Sequence, residues 1–331
     1  QKQKAMTTCE RTPAEDATSP RHMTQPSNYM QGIVGLTSGE VGRTAGSPPL
    51  LDVLFATHAD VDPLFGLQCC GFDRGRGGGG ALDVGGFDAR RFYGAIQWVP
   101  VTKPPYWAVR ATSIRFGDRE VLPADVAAID AYADGSDQSI VDSGTSGLVL
   151  PKRAFEAAVA TLSAAAPDVP RAFWKGEACV DASKLDVSAL PELTVSLATE
   201  GDDVVLTMPA RRYVNRVPKT SYCAAEAPPR KEDAYFFSVG PIEEGRNVIL
   251  GQSLFESYYV AHDMGASPRV GFAPIRGCDA DGCGVPVGAR FASLGSRWDV
   301  VAALVCLPLG AYIRWRNHRR RDYAAVESSS V

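Results

Sequence analysis

One stretch of this chain combines a carboxylate with the partners that could make it work: Ile140-Val141-Asp142-Ser143-Gly144-Thr145-Ser146. Ile140 and Val141 read as the end of an apolar strand that delivers Asp142 to the tip of a loop. Gly144 permits the backbone to turn sharply there. Ser143 and Thr145 stand beside the acid as hydroxyl donors that would fix the loop around a charged carboxylate. A carboxylate held partly dry in this way suits proton transfer to or from a reacting group. The bland alternative is a β-turn in which Asp and Ser satisfy the backbone and nothing more.

Other chemistries find less support. The four histidines, His22, His58, His262 and His318, are scattered, and no Cys/His spacing fits a zinc site, so no metal and no cofactor is expected. Gly75-Arg76-Gly77-Gly78-Gly79-Gly80 formally fits G-x-G-x-x-G. No helix follows it and no βαβ unit surrounds it, so it reads as a hairpin tip. No Gly-x-Ser-x-Gly elbow occurs, which leaves a serine hydrolase without support.

The elements that must hold the acid loop are mostly short strands. Gln31–Leu36, Leu64–Cys70, Leu82–Gly86, Gln97–Val101, Trp107–Phe116, Leu193–Leu197, Val204–Met208, Phe236–Val239, Val248–Leu250, Tyr258–His262 and Arg269–Phe272 read as strands. Leu50–Phe55 suits a helical turn or a buried strand, and Val121–Tyr132 is ambiguous. Pro151–Ala165 is the clearest helix, with Pro151 in its first turn. The fold class expected is all-β, mostly strands with a few short helices.

The order of these features resembles the pepsin-like aspartic proteases, over roughly residues 30–275. Asp142-Ser143-Gly144-Thr145-Ser146, then Leu148 and Pro151 before a helix, is similar to the second catalytic loop of that family. Val248-Ile249-Leu250-Gly251, then Tyr258-Tyr259, Asp263 and Arg269-Val270-Gly271-Phe272-Ala273, resembles the closing segment, where an apolar pair plus Gly threads behind the loop. Tyr106-Trp107 resembles the start of the second lobe. Gly32-Ile33-Val34-Gly35-Leu36, Phe65–Cys70, Val84-Gly85-Gly86, Tyr93-Gly94 and Trp98-Val99-Pro100-Val101 continue in order as the later part of the first lobe.

The resemblance implies a bilobal acid protease fold with Asp142 as one member of a catalytic pair. Ser143, Gly144 and Thr145 would support the loop, and Ser146 would meet substrate. Two carboxylates about 3 Å apart share a proton, as the dyads of aspartic proteases do. It also implies a Cys179–Cys223 disulfide, with Cys9 bridging to Cys69 or Cys70. Apart from the resemblance, Cys278 and Cys283 are spaced to close a small loop in the stalk. Peptide or protein substrates are the implied partners. Gln252 stands where the family often has Asp.

The departures are as informative. No second Asp-Thr-Gly or Asp-Ser-Gly occurs; Asp263-Met264-Gly265 and Asp83-Val84-Gly85 have the wrong middle residue. The first catalytic Asp and the Tyr-bearing flap are therefore expected upstream of Gln1. As written the chain would carry half a dyad and be inactive. A membrane-tethered pseudoprotease acting as a binding module is the alternative. A homodimer joining two Asp142 loops is a further one.

Composition bounds the rest. The 331 residues have room for about two domains. A net charge of -4 argues against nucleic acid as a partner. Positions 314–331 hold five Arg against Asp322 and Glu327, a net of +3, which leaves -7 elsewhere. Val300–Ile313 is uncharged, and Arg297 through Trp315 would span about 28 Å as a helix, against a hydrocarbon core of roughly 30 Å. Arg314, Arg316 and Arg319–Arg321 follow at once in the positive-inside pattern. The expected organisation is 1–105, the C-terminal part of a first lobe; 106–275, a second lobe with the catalytic loop; 276–297, a stalk; 298–315, a transmembrane helix; and 316–331, a cytoplasmic tail. That makes a single-pass type I protein with its lobes lumenal or extracellular and lipid as a further partner.

Overall fold

Period-two burial builds the sheets. In Leu193–Leu197 the first, third and fifth residues are buried, and its partner Val204–Met208 buries the same three positions. Alternate side chains of a strand point to opposite faces, so each strand offers one apolar face to the core. The computed structural model describes residues 34–37, 48–70, 80–104, 106–127, 139–223, 230–242 and 247–276. Within them the protein is mostly β with few short helices, as expected.

The described residues form four sheets. The first runs Gly80–Val84, Leu64–Cys69, Tyr258–Asp263, Arg269–Pro274, Gln97–Pro100, antiparallel throughout. It joins segments from both sides of residue 105. The second runs Val204–Met208, Leu193–Leu197, Ala111–Phe116, Arg119–Glu120, and the third Val214–Val217, Ala234–Phe237, Val180–Asp181. The fourth runs Val239–Ile242, Leu148–Pro151, Ile249–Leu250, Ser139–Val141, Ala108–Val109. It is the sheet that holds Asp142.

The helix Lys152–Ala165 buries Ala154, Phe155, Ala158, Val159 and Leu162, a stripe at helical spacing. It ends before Ala166, whose N–H still bonds the Leu162 carbonyl, and Pro167 cannot continue it. The short helix Arg171–Trp174 plants Phe173 and Trp174 at zero exposure, and Trp174 meets Phe237 edge-on at 5.3 Å.

Several expectations change in detail. Val34–Thr37 has no regular structure, so the strand expected at Gln31–Leu36 is not found in its described part. Leu50–Thr57 is a helix. Pro151 ends a strand and caps the helix from outside, because an apolar pair, Leu148 and Leu150, draws that segment into the sheet first. Trp107–Phe116 is two strands in different sheets. The expected strand Phe236–Val239 is divided at Ser238, where the chain passes from the third sheet to the fourth. Within Val121–Tyr132, Ala124–Ala127 is helical and 128–132 lie outside the described residues.

Cys179 and Cys223 are bridged. Cys70 is disulfide-bonded, while Cys9, Cys278, Cys283 and Cys306 lie outside the described residues. So do the glycine-rich tip at 74–79, nearly all of the stalk, the span at 298–315 and the tail. Among the described residues no helix is long and apolar enough to cross a membrane.

Candidate active site

The strand Ser139–Val141 carries Asp142 out of the fourth sheet, and Leu148–Pro151 takes the chain back in. Between them lies Ile249–Leu250, parallel to the first through Ile249↔Ile140 and Leu250↔Val141. It is antiparallel to the second through Ile249↔Val149 and Leu250↔Leu148. The strand thus closes the base of the loop from behind. The Asp142 N–H donates to the Leu250 carbonyl at 3.0 Å, and the Val141 N–H to that of Trp107 at 3.0 Å.

The side chain of Asp142 is half-buried and both of its oxygens accept. Oδ1 takes the Gly144 N–H at 2.9 Å and Oδ2 takes the Thr145 hydroxyl at 2.6 Å. The Thr145 N–H turns back to the Asp142 carbonyl at 3.2 Å. These are charge-assisted contacts, stronger than neutral ones, and each oxygen keeps acceptor capacity for water or substrate. Ser143 and Ser146 are half-buried beside the acid. Their hydroxyls make no hydrogen bond among the described residues, so the cradle is built by Gly144 and Thr145.

Two glycines let the supports approach. A Cβ on Gly251 would lie 2.2 Å from the Gly147 carbonyl oxygen and 2.3 Å from that of Thr145. A Cβ on Gly147 would lie 1.9 Å from the Ser238 carbonyl oxygen. That carbonyl accepts the Leu148 N–H at 3.0 Å, and the Thr145 carbonyl accepts the Gln252 N–H at 2.7 Å. Behind Gln252, its side-chain amide donates to Glu256 at 3.1 Å, and Arg212 pairs with Glu256 at 3.0 Å.

The contributions of Trp107, Gly147, Ser238, Arg212 and Glu256 escape a reading of the sequence. Their only signal is the glycine two residues beyond Thr145 and another after the apolar pair, which marks two places of close backbone approach. Among the described residues no group of three or more His, Cys, Asp or Glu is placed to hold a metal.

His262 lies in the first sheet, away from any polar partner for Nδ1 among the described residues. It stacks on Phe65 at 4.2 Å and meets Trp107 edge-on at 4.7 Å. Burial pushes its pKa down to about 3, so the ring packs as a neutral aromatic.

Comparison with known proteins gives the family of the chain. Residues 7–275 match the family model described as eukaryotic aspartyl protease. The chain is 29% identical to a beta-secretase of Strongylocentrotus purpuratus, over 73% of this chain and 47% of that protein. It is 29% identical to a cathepsin E of Aquarana catesbeiana, over 79% of this chain and 57% of that one. A vacuolar aspartic protease of Candida albicans is 26% identical over 79% and 54%. The chain spans about half the length of the curated relatives it matches. With a family match across most of its length, on a mostly β fold in which a threaded strand backs an Asp-Ser-Gly loop, the chain belongs to the eukaryotic aspartyl protease family.

Proposed function

We propose that this chain carries one half of the catalytic dyad of an aspartic endopeptidase, with Asp142 as the catalytic carboxylate. The observation that carries the reading is the cradle itself: one donor on each Asp142 oxygen, in a loop whose base is threaded by Ile249–Leu250. Residues 1–331 contain one Asp-Ser-Gly and no Asp-Thr-Gly. The second carboxylate is therefore assigned to a segment beyond these residues, on the first lobe.

In this mechanism one carboxylate is ionised and its partner protonated. The ionised member takes a proton from a water as the water oxygen bonds to the peptide carbonyl carbon. The protonated member donates to the carbonyl oxygen. Collapse breaks the C–N bond, and a carboxyl proton leaves with the amine. Thr145 and Gly144 hold Asp142 in register for these steps. Ser143 and Ser146, with hydroxyls unspent on the loop, face the extended peptide. Residues 1–105 and 106–275 form parts of two lobes.

The uncharged run Val300–Ile313, followed by Arg314, Arg316 and Arg319–Arg321, supports a single membrane anchor with the lobes on the lumenal or extracellular side. The sole Asp-Ser-Gly also favours a second reading, a tethered pseudoprotease that binds peptides without cutting them. Cleavage of a mixed peptide library by the full-length gene product, followed from pH 3 to pH 8, separates the two. The protease reading expects turnover that peaks at acidic pH, because one carboxyl must stay protonated. Saturable peptide binding with no turnover at any pH favours the pseudoprotease, and a peak only above neutral pH contradicts the dyad.

A further inference from the structure

Glu256 is the only charged residue among the buried polar residues of the described core. It follows the short helix Gln252–Phe255, every residue of which is buried. A buried carboxylate costs several kcal/mol unless it is paired and hydrogen-bonded, and an apolar residue of similar size would cost nothing of the kind. Its partners are specific. Oε1 accepts the Gln252 amide at 3.1 Å, and Oε2 accepts Arg212 Nη1 at 3.0 Å. Both side chains of the ion pair are almost fully withdrawn from solvent, at 11% and 10% exposure.

Each end of this cluster leads to the acid loop, one directly and one through Tyr213 and Ser238. On one side the Gln252 N–H holds the Thr145 carbonyl at 2.7 Å, and the Thr145 hydroxyl holds Asp142 Oδ2 at 2.6 Å. On the other side Arg212 closes the turn Ala210–Arg212 and leads into Tyr213. The Tyr213 carbonyl accepts the Ser238 N–H at 2.9 Å, and the Ser238 carbonyl accepts the Leu148 N–H at 3.0 Å. The ion pair therefore joins the segment that supports the loop's middle to the segment that supports its exit. Packed interiors transmit small displacements because they have little free volume.

From this geometry we infer that Arg212 and Glu256, acting through Gln252, are positioning residues for Asp142. The inference rests on the protease reading for its catalytic consequence. Its structural content, a coupling between a buried ion pair and the acid loop, does not. Holding a reacting group to within a fraction of an ångström raises turnover without tightening substrate binding.

The test uses the full-length gene product with three substitutions. Arg212→Met removes the guanidinium, Arg212→Lys keeps the charge, and Gln252→Met cuts the amide link while sparing the ion pair. Two readouts are taken: amide hydrogen exchange under native conditions, and kcat and KM on a cleaved peptide. The expected result is exchange at Gly144, Thr145 and Leu148 about tenfold faster in Arg212→Met and Gln252→Met, with Leu193–Leu197 within about twofold of wild type. Arg212→Lys should recover most of the difference. In parallel kcat should fall about tenfold with KM nearly constant.

Faster exchange spread evenly over loop and core strands, or no change at the loop, would overturn the inference. Should Arg212→Met fail to fold, Gln252→Met decides by the same criteria, since it leaves no charge buried alone. In a wild-type protein without turnover the exchange result still decides, so a failure of the protease reading is told apart from a failure of this one.

Discussion

The Thr145 hydroxyl donates to Asp142 Oδ2 at 2.6 Å, three residues along the chain from the acid it serves. A hydrogen bond to a charged group contributes about 1.5–3 kcal/mol. Thr145→Val keeps the shape and loses the donor, so kcat/KM should fall about ten- to a hundredfold. Thr145→Ser keeps the donor and should stay within about threefold. Steady-state kinetics on one peptide checks both, and equal losses in the two variants would detach the hydroxyl from the chemistry.

Gly251 is a glycine that the support of the loop requires. Its missing Cβ is replaced by two carbonyl oxygens at 2.2 and 2.3 Å, both of them backbone and unable to swing away. Gly251→Ala should lower the unfolding free energy by about 3 kcal/mol or more through overpacking. Gly240→Ala, with no atom within 4 Å of the added carbon, is the control and should lie within about 1 kcal/mol of wild type. Urea titrations of the two variants test this directly. A Gly251→Ala protein as stable as the control would mean that the strand does not thread where it is described.

His262 sets a pH dependence with a definite sign. Burial holds its folded pKa at about 3, below the ordinary 6.5. Between those values the unfolded chain binds a proton that the folded one excludes, so stability falls as pH drops through this window. By pH 4.5 the loss from this residue is about 2–3 kcal/mol relative to pH 8. His262→Phe keeps the stacking on Phe65 and removes the titration. It should raise the unfolding free energy clearly more at pH 4.5 than at pH 7.5, since the carboxylates common to both proteins cancel in the difference. Equal gains at the two pH values would show that His262 is not a buried neutral ring.

How much of this was legible in the sequence follows from what each element depends on. Alternation alone located Leu193–Leu197 and Val204–Met208, and a stripe of Ala, Phe, Val and Leu located the helix at Lys152–Ala165. The acid loop was legible because carboxylate, hydroxyl and glycine are adjacent in the chain. What completes the site is remote: Leu250 lies 108 positions after Asp142, and Arg212 and Glu256 meet across 44. No local pattern encodes a pairing of that range. Gln252 looked like a minor replacement, yet its buried amide is the link between Glu256 and the loop. Ser238 looked like the interior of one strand, because the chain changes sheets there without any glycine or proline to mark it.

The Cys179–Cys223 bridge closes a separation of 44 residues beside a small cluster formed with Ala234, Phe236 and Val217. Loop closure of that length is worth about 4 kcal/mol in the chain-entropy account, and measured values are commonly about 2–4. The paired substitution Cys179→Ser and Cys223→Ser should lower stability by that amount and make this region indifferent to reductant. Denaturant unfolding with and without a thiol reductant measures both effects. An unchanged midpoint in the paired variant would contradict a stabilising role.

The central claim is that Asp142 is a catalytic carboxylate, and Asp142→Asn tests it most directly. The substitution keeps size and one accepting oxygen but removes the carboxyl group that exchanges a proton during hydrolysis. Turnover of an acid-cleaved peptide by the full-length gene product should fall about a hundred- to ten-thousandfold, with the thermal midpoint nearly unchanged. Turnover within about threefold of wild type would contradict the assignment of Asp142 to the dyad.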